Sequence, residues 1–81
     1  MVSVSFDATF KRALKHTDAA MRGRVLQQIL KVTDDPTIGK PMRHERKGTR
    51  ELYVGSYRLS YAWIEERDEV VLLDLYHKDE Q

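Results

Sequence analysis

Residues 2–6, VSVSF, alternate Val2, Val4 and Phe6 with Ser3 and Ser5, which predicts a short amphipathic strand. Asp7 follows as a helix N-cap. Phe6, Phe10, Ala13, Leu14 and Thr17 then recur at helical spacing, with Lys11, Arg12 and Lys15 on the opposite side. Thr17 or Asp18 can cap a second helix. Its apolar stripe of Met21, Val25, Leu26, Ile29, Leu30 and Val32 is broad enough to pack on a sheet. Pro36 stops that helix, because the residue before a proline disfavours helical geometry. Residues 36–49 have no period and are punctuated by Pro36, Gly39, Pro41 and Gly48, so they read as a loop. A loop this long in a compact domain often carries function.

Three strand patterns follow. RELYV and YRLSYAWI flank Gly55-Ser56, a two-residue hairpin signal of type II′. That turn sets Val54 opposite Tyr57, Tyr53 opposite Arg58 and Leu52 opposite Leu59. One face then carries Leu52, Val54, Tyr57, Leu59, Tyr61 and Trp63, and helices must cover it. The other carries Glu51, Tyr53, Arg58, Ser60 and Ala62. The last strand, VVLLDLY, is nearly apolar throughout and suits a central place in the sheet. A five-residue turn over 65–69 puts Val71, Leu73 and Leu75 in the core, and Asp74 and Tyr76 beside Arg58. A four-residue turn would flip the strand. The order β-α-α-β-β-β predicts an α+β fold with two helices on one face of a small, mainly antiparallel sheet.

At 81 residues the chain is read as one domain over 1–81. Without cysteine it has neither disulfides nor a thiolate metal site, which points to a reducing compartment. No apolar run approaches the roughly 20 residues of a membrane span, and MVSVSFDATF lacks the basic-then-apolar pattern of a signal peptide. These features give the expectation of a soluble, cytoplasmic protein with no membrane partner.

The net charge of +1 hides an asymmetry. Residues 40–50 hold Lys40, Arg43, Arg46, Lys47 and Arg50 against Glu45, while residues 65–81 are strongly acidic. A basic segment of this kind suits an anionic ligand, although solvated loops carry the same composition. No G-x-S-x-G, P-loop or G-x-G-x-x-G pattern occurs, and His16, His44 and His77 are too scattered for a zinc site. What remains is an anion site that uses neither metal nor other cofactor. Arg58 can hold a phosphate through paired N–H donors. His77 and Lys78, where the last strand ends, are candidate proton carriers. Tyr53 offers a flat face for an unstacked base. Each residue also has a structural reading: Arg58 paired across the sheet with Asp74 or Glu51, His77 as an ordinary strand-end residue, and Lys78 as an exposed pair with Asp79 or Glu80.

LYVGSYRLSYAW resembles the hairpin of the RelE/ParE superfamily of toxins from type II toxin–antitoxin modules, closest to the RelE-like branch. LYHKDEQ is similar to that family's strand ending, and GKPMRHERKGTREL resembles the loop that precedes its hairpin. The resemblance covers nearly the whole chain. It implies a RelE-like fold and a ribosome-dependent, metal-independent endoribonuclease, an mRNA interferase that inhibits translation. Such a toxin cleaves mRNA in the ribosomal A site by attack of a ribose 2′-hydroxyl on the adjacent phosphate. On this resemblance Arg58, His77 and Lys78 are the catalytic set. Lys40, Arg43, Arg46, Lys47, Arg50 and Tyr53 bind RNA, and the partners are a cognate antitoxin, the ribosome and mRNA. Tyr53 stands where many relatives have a basic residue, and Met42 where a YoeB-like branch has a glutamate. Two alternatives remain open: a ParE-like, non-catalytic inhibitor of DNA gyrase, and a catalytically degenerate protein on the same fold.

Overall fold

A computed structural model describes residues 2–80. Its elements are β1 (Ser3–Phe6), α1 (Ala8–Lys15), α2 (Ala19–Asp34), β2 (Lys40–Pro41), β3 (Thr49–Val54), β4 (Tyr57–Ile64) and β5 (Glu69–His77). They form a five-stranded sheet in the order β1-β5-β4-β3-β2. β1 runs parallel to β5, and every other pairing is antiparallel. Both helices lie on one face, α1 against β5 and α2 against β3. The predicted α+β layering and element order are those observed, with β2 as an addition inside the segment read as a loop.

Local chemistry explains the helix starts. The Asp7 carboxylate accepts the Thr9 amide at 2.8 Å, and Asp18 accepts that of Met21 at 2.7 Å. Each satisfies a backbone donor that the first turn leaves unpaired. Asp18 rather than Thr17 is therefore the second cap. Thr17 is buried, with its hydroxyl donating to the Leu14 carbonyl at 2.7 Å.

The core consists of Phe10 from α1, Val25, Ile29 and Val32 from α2, Val54 from β3, Leu59 and Tyr61 from β4, and Val70, Leu72 and Leu75 from β5. Burying a side chain such as Leu59 or Leu72 stabilises the fold by roughly 1.5–3 kcal/mol. The α2 stripe is narrower than its sequence suggests, since Leu26 and Leu30 are exposed. At 3.6 residues per turn they point about 100° and 140° away from the Val25 direction, beyond the line of contact with the sheet.

The β3–β4 hairpin has the predicted register, with Val54 opposite Tyr57, Tyr53 opposite Arg58 and Leu52 opposite Leu59. Gly55 carries a φ of +60°, which a glycine-first turn requires and which other residues rarely adopt.

β5 departs from expectation in its first half. The turn into it has four residues, because Ile64 pairs with Glu69. Val70 and Leu72 therefore enter the core, while Val71 and Leu73 are only half-buried. A register shift then makes Leu73 the extra residue between the pairs Tyr61–Leu72 and Ser60–Asp74. This bulge restores the other parity. Leu75 is buried, and Asp74 and Tyr76 reach the open face as predicted. One inserted residue thus lets a single strand place Val70, Leu72 and Leu75 in the core while keeping Asp74 out of it.

Candidate nucleic-acid interface

The register builds two rows of side chains across the uncovered face. Tyr53, Arg58 and Tyr76 follow one another across β3, β4 and β5, with Arg58 between the two tyrosines. Lys40, Glu51, Ser60 and Asp74 form the adjacent row from β2 to β5. Alternation along each strand creates this face, and the β5 bulge completes it by turning Asp74 and Tyr76 outward.

Arg58 sits over Tyr53, its guanidinium carbon 3.9 Å from the ring centroid. Its Nη1 donates to the Tyr57 carbonyl at 3.2 Å and, less closely, to that of Gly55 at 3.5 Å. The carboxylates that could have claimed it are engaged elsewhere. Glu51 pairs with Arg46, and Asp74 Oδ1 accepts the Leu75 amide at 2.8 Å. Arg58 is thus held over an aromatic ring on the open face, near the hairpin turn, which suits a phosphate with a base beside it.

A second cation arrives from the loop. A single 3-10 turn, His44–Arg46, carries Arg46 onto the sheet. Its Nη1 donates to the Tyr76 hydroxyl at 2.7 Å and lies 3.5 Å from Glu51 Oε2. The Tyr76 hydroxyl in turn donates to Glu51 Oε2. The hydrogen bond with Tyr76 raises the Arg46 pKa, with Glu51 and Asp74 adding to that shift. Glu51 is only 6% exposed, while the Arg46 side chain that covers it is 50% exposed.

The remaining basic residues of the loop, Lys40, Arg43 and Lys47, are exposed. Lys40 and Arg43, together with Pro41, Met42 and His44, line an open cleft of about 670 Å³, and Lys47 lies just beyond on the same loop. A neighbouring cleft of about 370 Å³ runs between Ile38, Lys40 and the β3 residues Glu51, Leu52 and Tyr53.

Two sequence-predicted residues lie elsewhere. Arg50 pairs with Tyr61 and so shares the helix-covered side. Its Nη1 donates to the carbonyls of Thr37 at 3.1 Å and Gly39 at 2.8 Å. It anchors the loop that delivers Lys40 rather than joining Arg58. His77 pairs with Tyr57, again on the helix-covered side, with the two rings edge to face at 5.5 Å. Its Nδ1 accepts the Asp79 amide at 3.2 Å. Strand alternation therefore separates His77 from Arg58. Lys78 is exposed, and its backbone N–H donates to the Ser56 carbonyl at 2.8 Å, tying the end of β5 to the hairpin turn.

The structure thus places Lys40, Arg46, Tyr53 and Arg58 on one face, and adds Glu51 and Tyr76, of which sequence reasoning gave Glu51 only a structural pairing with Arg58 and Tyr76 no role. The signal for their contact was parity alone, because Arg46 reaches them from an aperiodic segment. Among the described residues no group of three or more His, Asp and Glu side chains could hold a metal ion, and no helix is long and apolar enough to cross a membrane.

Comparison with known proteins matches this architecture. The ParE toxin family of type II toxin–antitoxin systems (parDE) matches residues 1–81. A chain in the RelBE2 toxin–antitoxin complex of Mycobacterium tuberculosis is 31% identical with a TM-score of 0.86, over 94% of this chain and 96% of that one. A chain of the intact Escherichia coli RelBE complex shares the fold at 18% identity and a TM-score of 0.83, over 95% and 96% of the two chains. The YoeB/ParE toxin from Agrobacterium tumefaciens does so at 13% identity and 0.84, over 94% and 98%. Among curated proteins, none matches. With a family match along its entire length, the chain belongs to the ParE toxin family and is a toxin of the RelE/ParE superfamily from a type II toxin–antitoxin system.

Proposed function

We propose that this toxin is a ribosome-dependent mRNA endoribonuclease that inhibits translation in the cytoplasm, promoting attack of a ribose 2′-hydroxyl on the adjacent phosphate. The observation that carries this reading is Arg58, held 3.9 Å over Tyr53 on the uncovered sheet face, with Arg46 bonded to its neighbour Tyr76 and Lys40 in the adjacent row. A guanidinium fixed there can meet a phosphodiester and the charge that develops on it, while an aromatic plane beside it accommodates an unstacked base. Arg43, Lys47 and Lys78 extend the cationic surface for the RNA backbone. Relatives of the same fold occur in complexes with the antitoxin RelB, which supports a cognate antitoxin as partner.

The ParE family match and the turning away of His77 favour a second reading, inhibition of DNA gyrase without catalysis. Expression in cells separates the two. Primer extension on cellular mRNA is expected to show new 5′ ends with the wild type and none with Arg58→Ala. Intact mRNA together with arrested supercoiling by gyrase would assign the second reading instead.

A further inference from the structure

The proposed reaction needs a proton acceptor beside the attacking 2′-hydroxyl. His77 lies on the opposite side of the sheet from Arg58, so the acceptor is sought among groups on the open face. The carboxylates near Arg58 there are Glu51 and Asp74, whereas Glu69 lies at the far end of β5, opposite Ile64, and accepts the Ser5 hydroxyl. Glu51 and Asp74 differ in setting. Asp74 Oδ1 accepts its neighbour's backbone N–H, whereas Glu51 is buried beneath two side chains that reach the surface, Arg46 and Tyr76.

The hydrogen bonds run in one direction, from Arg46 N–H to the Tyr76 oxygen and from the Tyr76 hydrogen to Glu51 Oε2. Lys40 from β2, Arg46 from the loop, Arg58 and Ser60 from β4, and Asp74 and Tyr76 from β5 surround Glu51 on this face. Pinning the loop would not require such a chain. An ion pair with one half-exposed partner contributes little net stability, and apolar side chains can hold a loop as well.

We infer that Tyr76 is a catalytic residue of the proposed cleavage and that Glu51 is the positioning residue behind it, accepting the proton that Tyr76 relays. The inference rests on the endoribonuclease reading. As the O2′–H bond breaks, its proton passes to Tyr76 Oη, and the proton of Tyr76 passes to Glu51 Oε2. The O2′ electron pair forms the O2′–P bond. The P–O5′ bond breaks with its electrons on O5′, which takes a proton from water. Glu51 then returns its proton to solvent through Tyr76. Arg46 remains charged throughout and holds the Tyr76 oxygen in place through its N–H. The products are a 2′,3′-cyclic phosphate and a 5′-hydroxyl.

Single-turnover cleavage of ribosome-bound mRNA, followed from acid to neutral pH, tests the relay. Glu51→Gln and Tyr76→Phe are each expected to slow cleavage by about 100-fold, the usual scale for a lost general base. The pair together is expected to be no slower than either alone, because the two act as one unit. Glu51 must be ionised to accept a proton, so the wild-type rate falls as pH falls. That acid limb is expected to vanish in Glu51→Gln and to persist in Glu51→Asp, which recovers part of the rate. Wild-type rates in Glu51→Gln would overturn the relay and leave the endoribonuclease reading standing. So would a slowing that only tracks a fall in melting temperature, with the acid limb intact. If Glu51→Gln does not fold, Tyr76→Phe carries the test, and its cleaving at the wild-type rate has the same meaning. A wild type that leaves ribosome-bound mRNA uncut would overturn both readings.

Discussion

Two of the tyrosine–arginine pairs on the sheet, one on each face, are held in different ways. On the covered face, Tyr61 and Arg50 are directly opposite each other on β4 and β3. Their polar groups go to backbone. The Tyr61 hydroxyl donates to the Pro36 carbonyl at 2.7 Å and accepts the Gly39 amide at 2.9 Å, and Arg50 holds the carbonyls of Thr37 and Gly39. On the open face, Tyr76 and Arg46 bond to each other and to the carboxylate of Glu51. A backbone partner cannot leave without unfolding its segment, whereas a side-chain partner can be exchanged for a ligand or a proton. The first pair therefore builds the loop, and the second is available for chemistry. Burial raises the Tyr61 pKa, in keeping with a hydroxyl that stays neutral and structural.

The largest expected effect falls on the open face. Arg58→Ala is expected to lower mRNA cleavage by about 100- to 1,000-fold, the scale of one lost charge-stabilising donor. Its melting temperature should stay within a few degrees, since Arg58 bonds weakly to its own turn. Growth arrest on induction is the simplest readout, and arrest that persists in Arg58→Ala would break the assignment of the open face.

Tyr61→Phe tests the covered pair. It strands the Gly39 amide and the Pro36 carbonyl and is expected to cost about 1–3 kcal/mol. In a domain of this size each kcal/mol lowers the melting temperature by roughly 4–8 °C. Gly39→Ala should act in the same direction, because its Cβ would sit 2.6 Å from the Tyr61 hydroxyl oxygen. If Tyr61→Phe melted like the wild type, the contrast between the pairs would lose its physical basis.

Smaller effects sharpen the contrast. Neutralising Lys40, Arg43 or Lys47 singly is expected to weaken ribosome binding modestly and to lower its log–log salt slope by about 1 each. Gly23 is exposed in mid-helix, with nothing within 4 Å of the position a Cβ would take. Gly23→Ala should therefore stabilise the protein by about 1 kcal/mol without changing activity.

The hairpin was legible in the sequence because one glycine fixed its register, and every facing from Leu52 to Leu59 follows from it. The start of β5 was not. VVLLDLY is apolar on both faces, so no period reveals that Leu73 is the inserted residue. The short strand Lys40–Pro41 was hidden in a segment without alternation. Arg50 and His77 are a different case. Arg50 lies two residues before Leu52 and His77 two after Leu75, so parity already places both on the covered side. Grouping them with neighbouring cations obscured that. The Arg46–Tyr76–Glu51 contact lay beyond reach, since it depends on a single 3-10 turn landing on the sheet.

The most direct test adds purified toxin to ribosomes programmed with a defined mRNA and reads the message by primer extension. The account predicts a cut in the ribosome-bound codon with the wild type, no cut with Arg58→Ala, and no cut of the same mRNA free in solution. An intact message with wild-type toxin, or equal cutting by Arg58→Ala, would contradict it.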